Sequence, residues 1–352
     1  MTSKERVRTA LRRQKPDRIP AAFEAVGAVE KKLLQHYGFT HTEQLYEKFD
    51  IDIIPAAPAY IGPELPSFVD IQGRTVHTSY WGYQSAEHVT ALDTYSVTTY
   101  FPLRGVQTIE DVDAHRFPDP DWFDYSEFTR RCEQFPDKAI IIGHEGPFQM
   151  VTFLIEMDEF FMLMVDAPEV AQHILDRMAQ FELEYYRRCF EAGHGQVDIL
   201  RTHDDYGTQI SLLFSTEMWR RFFKDNTKKL TALAHEYGAF SAAFCGAVAP
   251  LIEEFISCGV DSLEPLQKVP GLYAQDLAQN YSGRITFHGG IDTQDLLPHG
   301  TPEQVADEAA QYMRLLGERG YILMASQGFE GDVPIENIEA LYAVPRDLFS
   351  GD

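Results

Sequence analysis

Val197-Asp198-Ile199-Leu200-Arg201-Thr202-His203-Asp204-Asp205 runs from β-branched and apolar residues into three side chains able to do chemistry. A short run rich in such residues and bounded by polar turns reads as a strand buried on both faces of a parallel sheet. Three later segments break off in the same way: Phe240 to Cys245-Gly246, Val260 to Glu264-Pro265, and Arg284 to His288-Gly289-Gly290-Ile291-Asp292. When successive parallel strands end in polar residues, one rim of the sheet is expected to carry the function.

Helix signals alternate with these runs. Asp166-Ala167-Pro168-Glu169 opens a long helix that stops near Gly193, and Ser215 or Thr216 starts another that stops at Gly238. Helices are predicted at 249–257, 272–280 and 302–316, the last opened by the capping box Thr301-Pro302-Glu303-Gln304. Strands at 19–23, 51–54, 139–142 and 321–324 bring the predicted total to about eight, which favours a (β/α)8 TIM barrel over an open doubly wound sheet. No Gly-x-Gly-x-x-Gly follows the first strand, so a dinucleotide fold is the weaker reading. Residues 66–105 interrupt the rhythm with alternating aromatic runs at 76–83 and 97–103, predicted as a β-hairpin excursion over the barrel mouth. Residues 1–352 are therefore expected to form a single domain.

The chain has 352 residues, 44% of them hydrophobic, enough for a large core. Its formal charge of -24 disfavours nucleic acid and anionic membranes as partners, and an anionic substrate would need a local basic pocket. Cys132, Cys189, Cys245 and Cys258 show no Cys-x-x-Cys spacing, and no leader-like or membrane-spanning run is evident, so a cytoplasmic location is expected. The Met-rich segment 150–165 is expected to be core or an apolar lid.

Several stretches resemble the uroporphyrinogen decarboxylase (URO-D) superfamily: Lys4-Glu-Arg-Val-Arg-Thr-Ala-Leu-Arg12, Pro16-Asp-Arg-Ile-Pro20, Asp204-Asp-Tyr-Gly-Thr-Gln209, Gly259-Val-Asp-Ser-Leu-Glu-Pro265, Gly289-Gly-Ile-Asp-Thr-Gln294 and Gly331-Asp-Val-Pro-Ile-Glu-Asn-Ile338. The resemblance covers nearly the whole chain and implies a (β/α)8 barrel with activity at the carboxyl ends of its strands. The amino-terminal stretch and Gly289–Gln294 look like the corrinoid-dependent methyltransferase-like branch, which uses zinc and a corrinoid. True decarboxylases of the family, which need no cofactor, carry Arg-Gln-Ala-Gly-Arg after the first strand, where this chain has Phe23-Glu24-Ala-Val-Gly27. The methyltransferase branch carries His-x-Cys ending one strand and a Cys ending the last. Here Cys245 matches, Ala243 stands in the His position, and the last strand ends Ala325-Ser326-Gln327-Gly328.

Candidate residues follow from the rim. His203, Asp204 and Asp205 are candidates for acid/base work, with His203 and Asp205 on one side of the strand and Asp204 on the other; the alternative is that Asp204 or Asp205 caps the following segment. Glu145 and Gln327 complete the catalytic set, Gln327 as an amide that cannot shuttle a proton. Phe23, Glu24, Tyr206, His288, Asp292 and Trp81 are substrate-binding candidates; Tyr80, Trp81 and Tyr83 could stack on a planar substrate or pack on the barrel. Cys245, His144 and Glu264 could hold zinc. The leading expectation is methyl transfer between a small methylated compound or carrier and a corrinoid on a separate partner protein, by a homodimer. The alternatives are a metal-free decarboxylase or lyase acting on a carboxylated aromatic or tetrapyrrole-like substrate, and a non-catalytic ligand-binding relative.

Overall fold

The computed structural model of the chain describes residues 1–90, 94–143, 145–244, 246, 248–347 and 349, without the side chains of His203 and Phe244. Seven strands form one sheet in chain order: Ile53–Pro55, Ala139–Ile142, Val197–His203, Phe240–Phe244, Ser262–Glu264, Thr286–His288 and Tyr321–Ile322. Every neighbouring pair is parallel. The connections between them run through helices, among them Pro168–Ala192, Lys224–Glu236, Ile252–Cys258, Ala274–Tyr281 and Pro302–Leu316. The protein is thus α/β with a parallel sheet, as the strand-helix rhythm predicts.

The expected strand at 19–23 is replaced by an extended segment making isolated parallel bridges, Ala21 to Leu323 and Ala25 to Phe329. Pro20 supplies no N–H to a ladder. The segment still bonds on both sides: Ala22 N donates to the Leu323 carbonyl at 3.0 Å, and Asp52 N donates to the Ala21 carbonyl at 2.8 Å. Those partners flank the last and first strands of the sheet.

Alternate residues of the strands form a small apolar cluster: Ala22, Ile53, Ile141, Ile199, Ala242 and Ile322 meet Val7 and Leu11 of the helix Ser3–Leu11. That helix closes the amino-terminal end of the sheet, where Thr286 Oγ1 donates to its Ala10 carbonyl at 3.0 Å. The larger core fills the space between the sheet and the outer helices.

Residues 67–100 form a separate four-stranded antiparallel sheet, Ser67–Val69, Thr75–Thr78, Gln84–Val89 and Thr94–Tyr100, where a single hairpin was expected. The run 76–83 is not one strand because it turns: Gly82 N donates to the Ser79 carbonyl at 2.9 Å, with Gly82 at φ +90°. A positive φ is readily taken only by glycine. The Met-rich segment splits into helices Pro147–Leu154 and Met157–Asp166, burying Met150 and Met164 and exposing Met157 and Met162. Among the described residues no helix is long and apolar enough to cross a membrane.

Candidate active site at the carboxyl ends of the strands

Two residues beyond the apolar cluster, the same side of the strands becomes polar. Arg201 follows Ile199, Glu24 follows Ala22, Glu264 follows Ser262 and His288 follows Thr286, each offset by the period of two that keeps a side chain on one face. The register holds Phe244 level with both His203 and Glu264. Arg201 Nη1 donates to Glu264 Oε1 at 2.9 Å and also to Glu24 Oε1. Glu264 Oε2 in turn accepts from His288 Nδ1, so both its oxygens are engaged. Glu264 and His288 are almost fully buried, whereas the Glu24 side chain is 30% exposed. Burial opposes the charge of Arg201, but the two carboxylates outweigh it and raise its pKa, so it stays cationic.

A carboxylate accepting from Nδ1 fixes the imidazole tautomer and leaves Nε2 as the free lone pair. His288 Nε2 is buried with no hydrogen-bond partner among the described residues. An unsatisfied buried nitrogen costs about 1–3 kcal/mol, which a structure retains where the group has another task.

Arg201 and Glu24 form one wall of a pocket of about 400 Å³ at this rim. Phe23 and Tyr46 line it with their ring centroids 6.3 Å apart in an edge-on arrangement, and Gln327 and Glu330 complete a polar lip. The antiparallel sheet reaches this lip, since Tyr95 Oη donates to Glu330 Oε2 at 2.8 Å. Tyr46 is pushed up to about 12, first by burial and then by the nearby carboxylates of Glu30 and Glu24.

Asp204 points the other way. It accepts from the backbone of Phe148 at 2.8 Å and Gln149 at 2.9 Å, capping the helix Pro147–Leu154, and from Tyr206 Oη at 2.6 Å. A Cβ on Gly146 would collide with this carboxylate, so the cap requires a glycine there. Burial raises Asp204 to about 7 in spite of the three donors. Burial and the charge of Asp204 hold Glu182, on the long helix Pro168–Ala192, well above the usual carboxylate range. Both Glu182 oxygens are buried without a partner among the described residues. Asp205 is surface-exposed as a residue, yet partial desolvation of its carboxyl also raises its pKa.

The structure brings Phe23, Glu24 and Gln327 together in the pocket and places Glu264 and His288 next to its Arg201 wall. It does not bring the other candidates there. Asp204 and Tyr206 belong to the helix cap and the aromatic core, Tyr206 being 2% exposed with Phe148 and Phe214 against its ring. Trp81 is 1% exposed and edge-on to Phe181, which makes it core and not a stacking surface. Asp292 caps the turn at Gln294, Asp295 and Leu296. Glu145 lies by Tyr80 and Tyr83, whose phenols its charge helps to raise. Two zinc candidates, His144 and Cys245, lie outside the described residues, as does the His203 side chain.

Reasoning from sequence missed Arg201, Glu30, Tyr46, Glu182 and Glu330. A signal existed for Arg201, an ionic residue within an apolar strand and in phase with Ile199; the others sit on helices and loops without any local mark.

A parallel α/β sheet with an ionic cluster and a pocket at one rim defines the class, and comparison with known proteins gives the family. Residues 100–348 match the family described as uroporphyrinogen decarboxylase (URO-D), and the chain belongs to that family. It is 24% identical over 216 residues to the methylcobamide:CoM methyltransferase MtaA of Methanosarcina barkeri, and equally to that of strain Fusaro. The match covers 61% of this chain and 60% of the relative's length. A solved methyltransferase from Methanosarcina mazei has the same fold, with TM-score 0.69 at 18% identity over 97% of this chain and 98% of its own.

The zinc that the family resemblance implies does not fit the residues described. Ala243 offers no ligand, Glu264 is committed to Arg201 and His288, and no three His, Cys, Asp or Glu among the described residues are grouped closely enough to hold a metal ion.

Proposed function

We propose that the chain is a corrinoid-linked methyltransferase, its pocket holding a small methylated compound or methyl carrier and a separate partner protein bringing the corrinoid to the rim. The family membership and the MtaA likeness support the reaction class. The observation carrying the choice over the decarboxylase is the charge of the pocket. A polycarboxylate substrate needs unpaired cations, and Arg201, the one cationic residue among the described pocket lining, is held between Glu24 and Glu264. The architecture that goes with this reading is a closed (β/α)8 barrel of residues 1–352, with residues 20–25 as its first staves, acting as a cytoplasmic homodimer.

In this reading Phe23 and Tyr46 exclude water from the methyl group, Arg201 holds Glu24 and Glu264 in place, and His288 Nε2 is the group able to hold a proton released at the reacting heteroatom. The corrinoid supplies the cobalt between which and the small molecule the methyl moves. Purified protein incubated with methylcobalamin and a panel of acceptors is expected to discharge the methyl-cobalt absorbance; an unchanged spectrum with every acceptor would overturn the proposal.

A further inference from the structure

The pocket's own chemistry goes beyond the reaction class to the charge of its substrate. Three carboxylates, Glu24, Glu30 and Glu330, line it against one guanidinium. That guanidinium is shared with a fourth carboxylate, Glu264. Glu30 already accepts from Thr42 Oγ1, and Glu330 from Tyr95 Oη, so the acids are held at the pocket wall by neutral donors that do not cancel their charge. Between them stands the Phe23–Tyr46 corner, both residues less than a tenth exposed. Aromatic faces attract a desolvated cation, and quaternary ammonium groups are commonly recognised in this way. An anion would meet repulsion and, among the described lining, no uncommitted positive charge.

Resting on the methyltransferase reading, we propose that the pocket takes a methylated onium group, a quaternary or tertiary ammonium or a sulfonium, as the methyl donor. The transfer then needs no metal to polarise a leaving heteroatom. The carbon–nitrogen bond, or carbon–sulfur bond for a sulfonium, breaks with its electron pair remaining on the heteroatom, so the amine or thioether leaves neutral. The carbon–cobalt bond forms with the pair supplied by the corrinoid in its cob(I) state, which becomes methyl-cob(III). Charge and electrons balance without an added oxidant, and no proton is released when the donor is quaternary.

The test is calorimetric binding to the full chain of four probes: tetramethylammonium, choline, its neutral carbon isostere 3,3-dimethylbutan-1-ol, and the anionic thiol 2-mercaptoethanesulfonate. Choline is expected to bind about tenfold or more tighter than the isostere, with no binding by the thiol. Glu30→Gln and Glu330→Gln, checked for folding by circular dichroism, are each expected to weaken choline several-fold and leave the isostere unchanged. Equal binding of choline and isostere, preferred binding of the thiol, or no binding by any probe would overturn the proposal. Transfer to free cob(I)alamin is followed on the same samples. Charge-ordered binding without transfer supports the cation site and removes the methyltransferase reading; transfer together with charge-blind binding does the reverse.

Discussion

The two ends of the parallel sheet carry ionic clusters of opposite balance. At the amino ends, Asp52, Asp198 and Asp261 immediately precede or begin strands, and each is met by cations from in or near the first helix. Asp52 receives Arg6 at 2.8 Å and Arg18 at 2.9 Å and also accepts from Ala21 N; Asp198 receives Arg8 at 2.8 Å and Lys4 at 3.4 Å; Asp261 has Arg13 at 3.7 Å and His235 at 2.7 Å. At the carboxyl ends one arginine serves two carboxylates, one imidazole nitrogen has no partner among the described residues, and a pocket opens beside them. The first cluster is saturated and closed by a helix, as a structural plug should be. The second has acids in excess and is open to a ligand, which is how a functional rim differs from a structural one.

The comparison is broken most severely by removing a carboxylate from the saturated end. Asp52→Ala removes the one fully buried carboxylate that Arg6 and Arg18 share, leaving them only the more exposed Asp17 and Asp50, and is expected to cost about 3 kcal/mol in urea denaturation, with activity per folded molecule unchanged. A loss under about 1 kcal/mol would show that the plug is not structural.

The next effect is on pH dependence. Asp204 is raised in the fold to about 7, above its unfolded value of roughly 3.9. Its protonated form therefore favours the folded state: the contribution is fully present below about pH 4 and is lost as pH rises through about 7. Wild type relative to Asp204→Asn is expected to lose up to about 3–4 kcal/mol between pH 4 and pH 8.5, in paired urea titrations. Parallel curves for the two proteins would remove the buried acid from the description.

At the open rim the pattern should invert. Glu264→Gln leaves the largely buried Arg201 only Glu24 among its described carboxylate partners and turns an amide N–H toward a donor, so it is expected to cost about 1.5–3 kcal/mol in urea denaturation, while methyl transfer per folded molecule, unchanged in Asp52→Ala, falls at least roughly tenfold. The smallest effect is at Glu182, which lacks partners and is held protonated by burial. Glu182→Met should raise stability by about 1 kcal/mol in thermal or urea unfolding, since an unsatisfied polar group is replaced by apolar volume.

Much of this was legible in the sequence. Apolar runs with polar ends gave the strands from Ala139 onward closely, because buried parallel strands announce themselves by composition. The segment 19–23 was found but not its irregular bridging, which depends on a proline and on strands more than 300 residues away. Asp204 was singled out for its place at the carboxyl end of a strand, and the capping reading open to it pointed to the following segment, whereas it caps the earlier helix Pro147–Leu154. Which helix it caps could not be seen, because Phe148 and Gln149 lie 55 or more residues earlier. Arg201 was overlooked as an ordinary strand residue. Glu30, Tyr46 and Glu330 reach the pocket only through tertiary packing, and no local pattern marks such residues.

The most direct measurement is anaerobic spectroscopy of cob(I)alamin mixed with an onium methyl donor and either wild type or Glu264→Gln. Wild type is expected to convert cob(I)alamin to methylcobalamin at a rate proportional to protein, with the variant at least about tenfold slower per folded molecule. Methylcobalamin formed equally fast by both, or by neither, would contradict a methyl-transferring rim organised around Glu264.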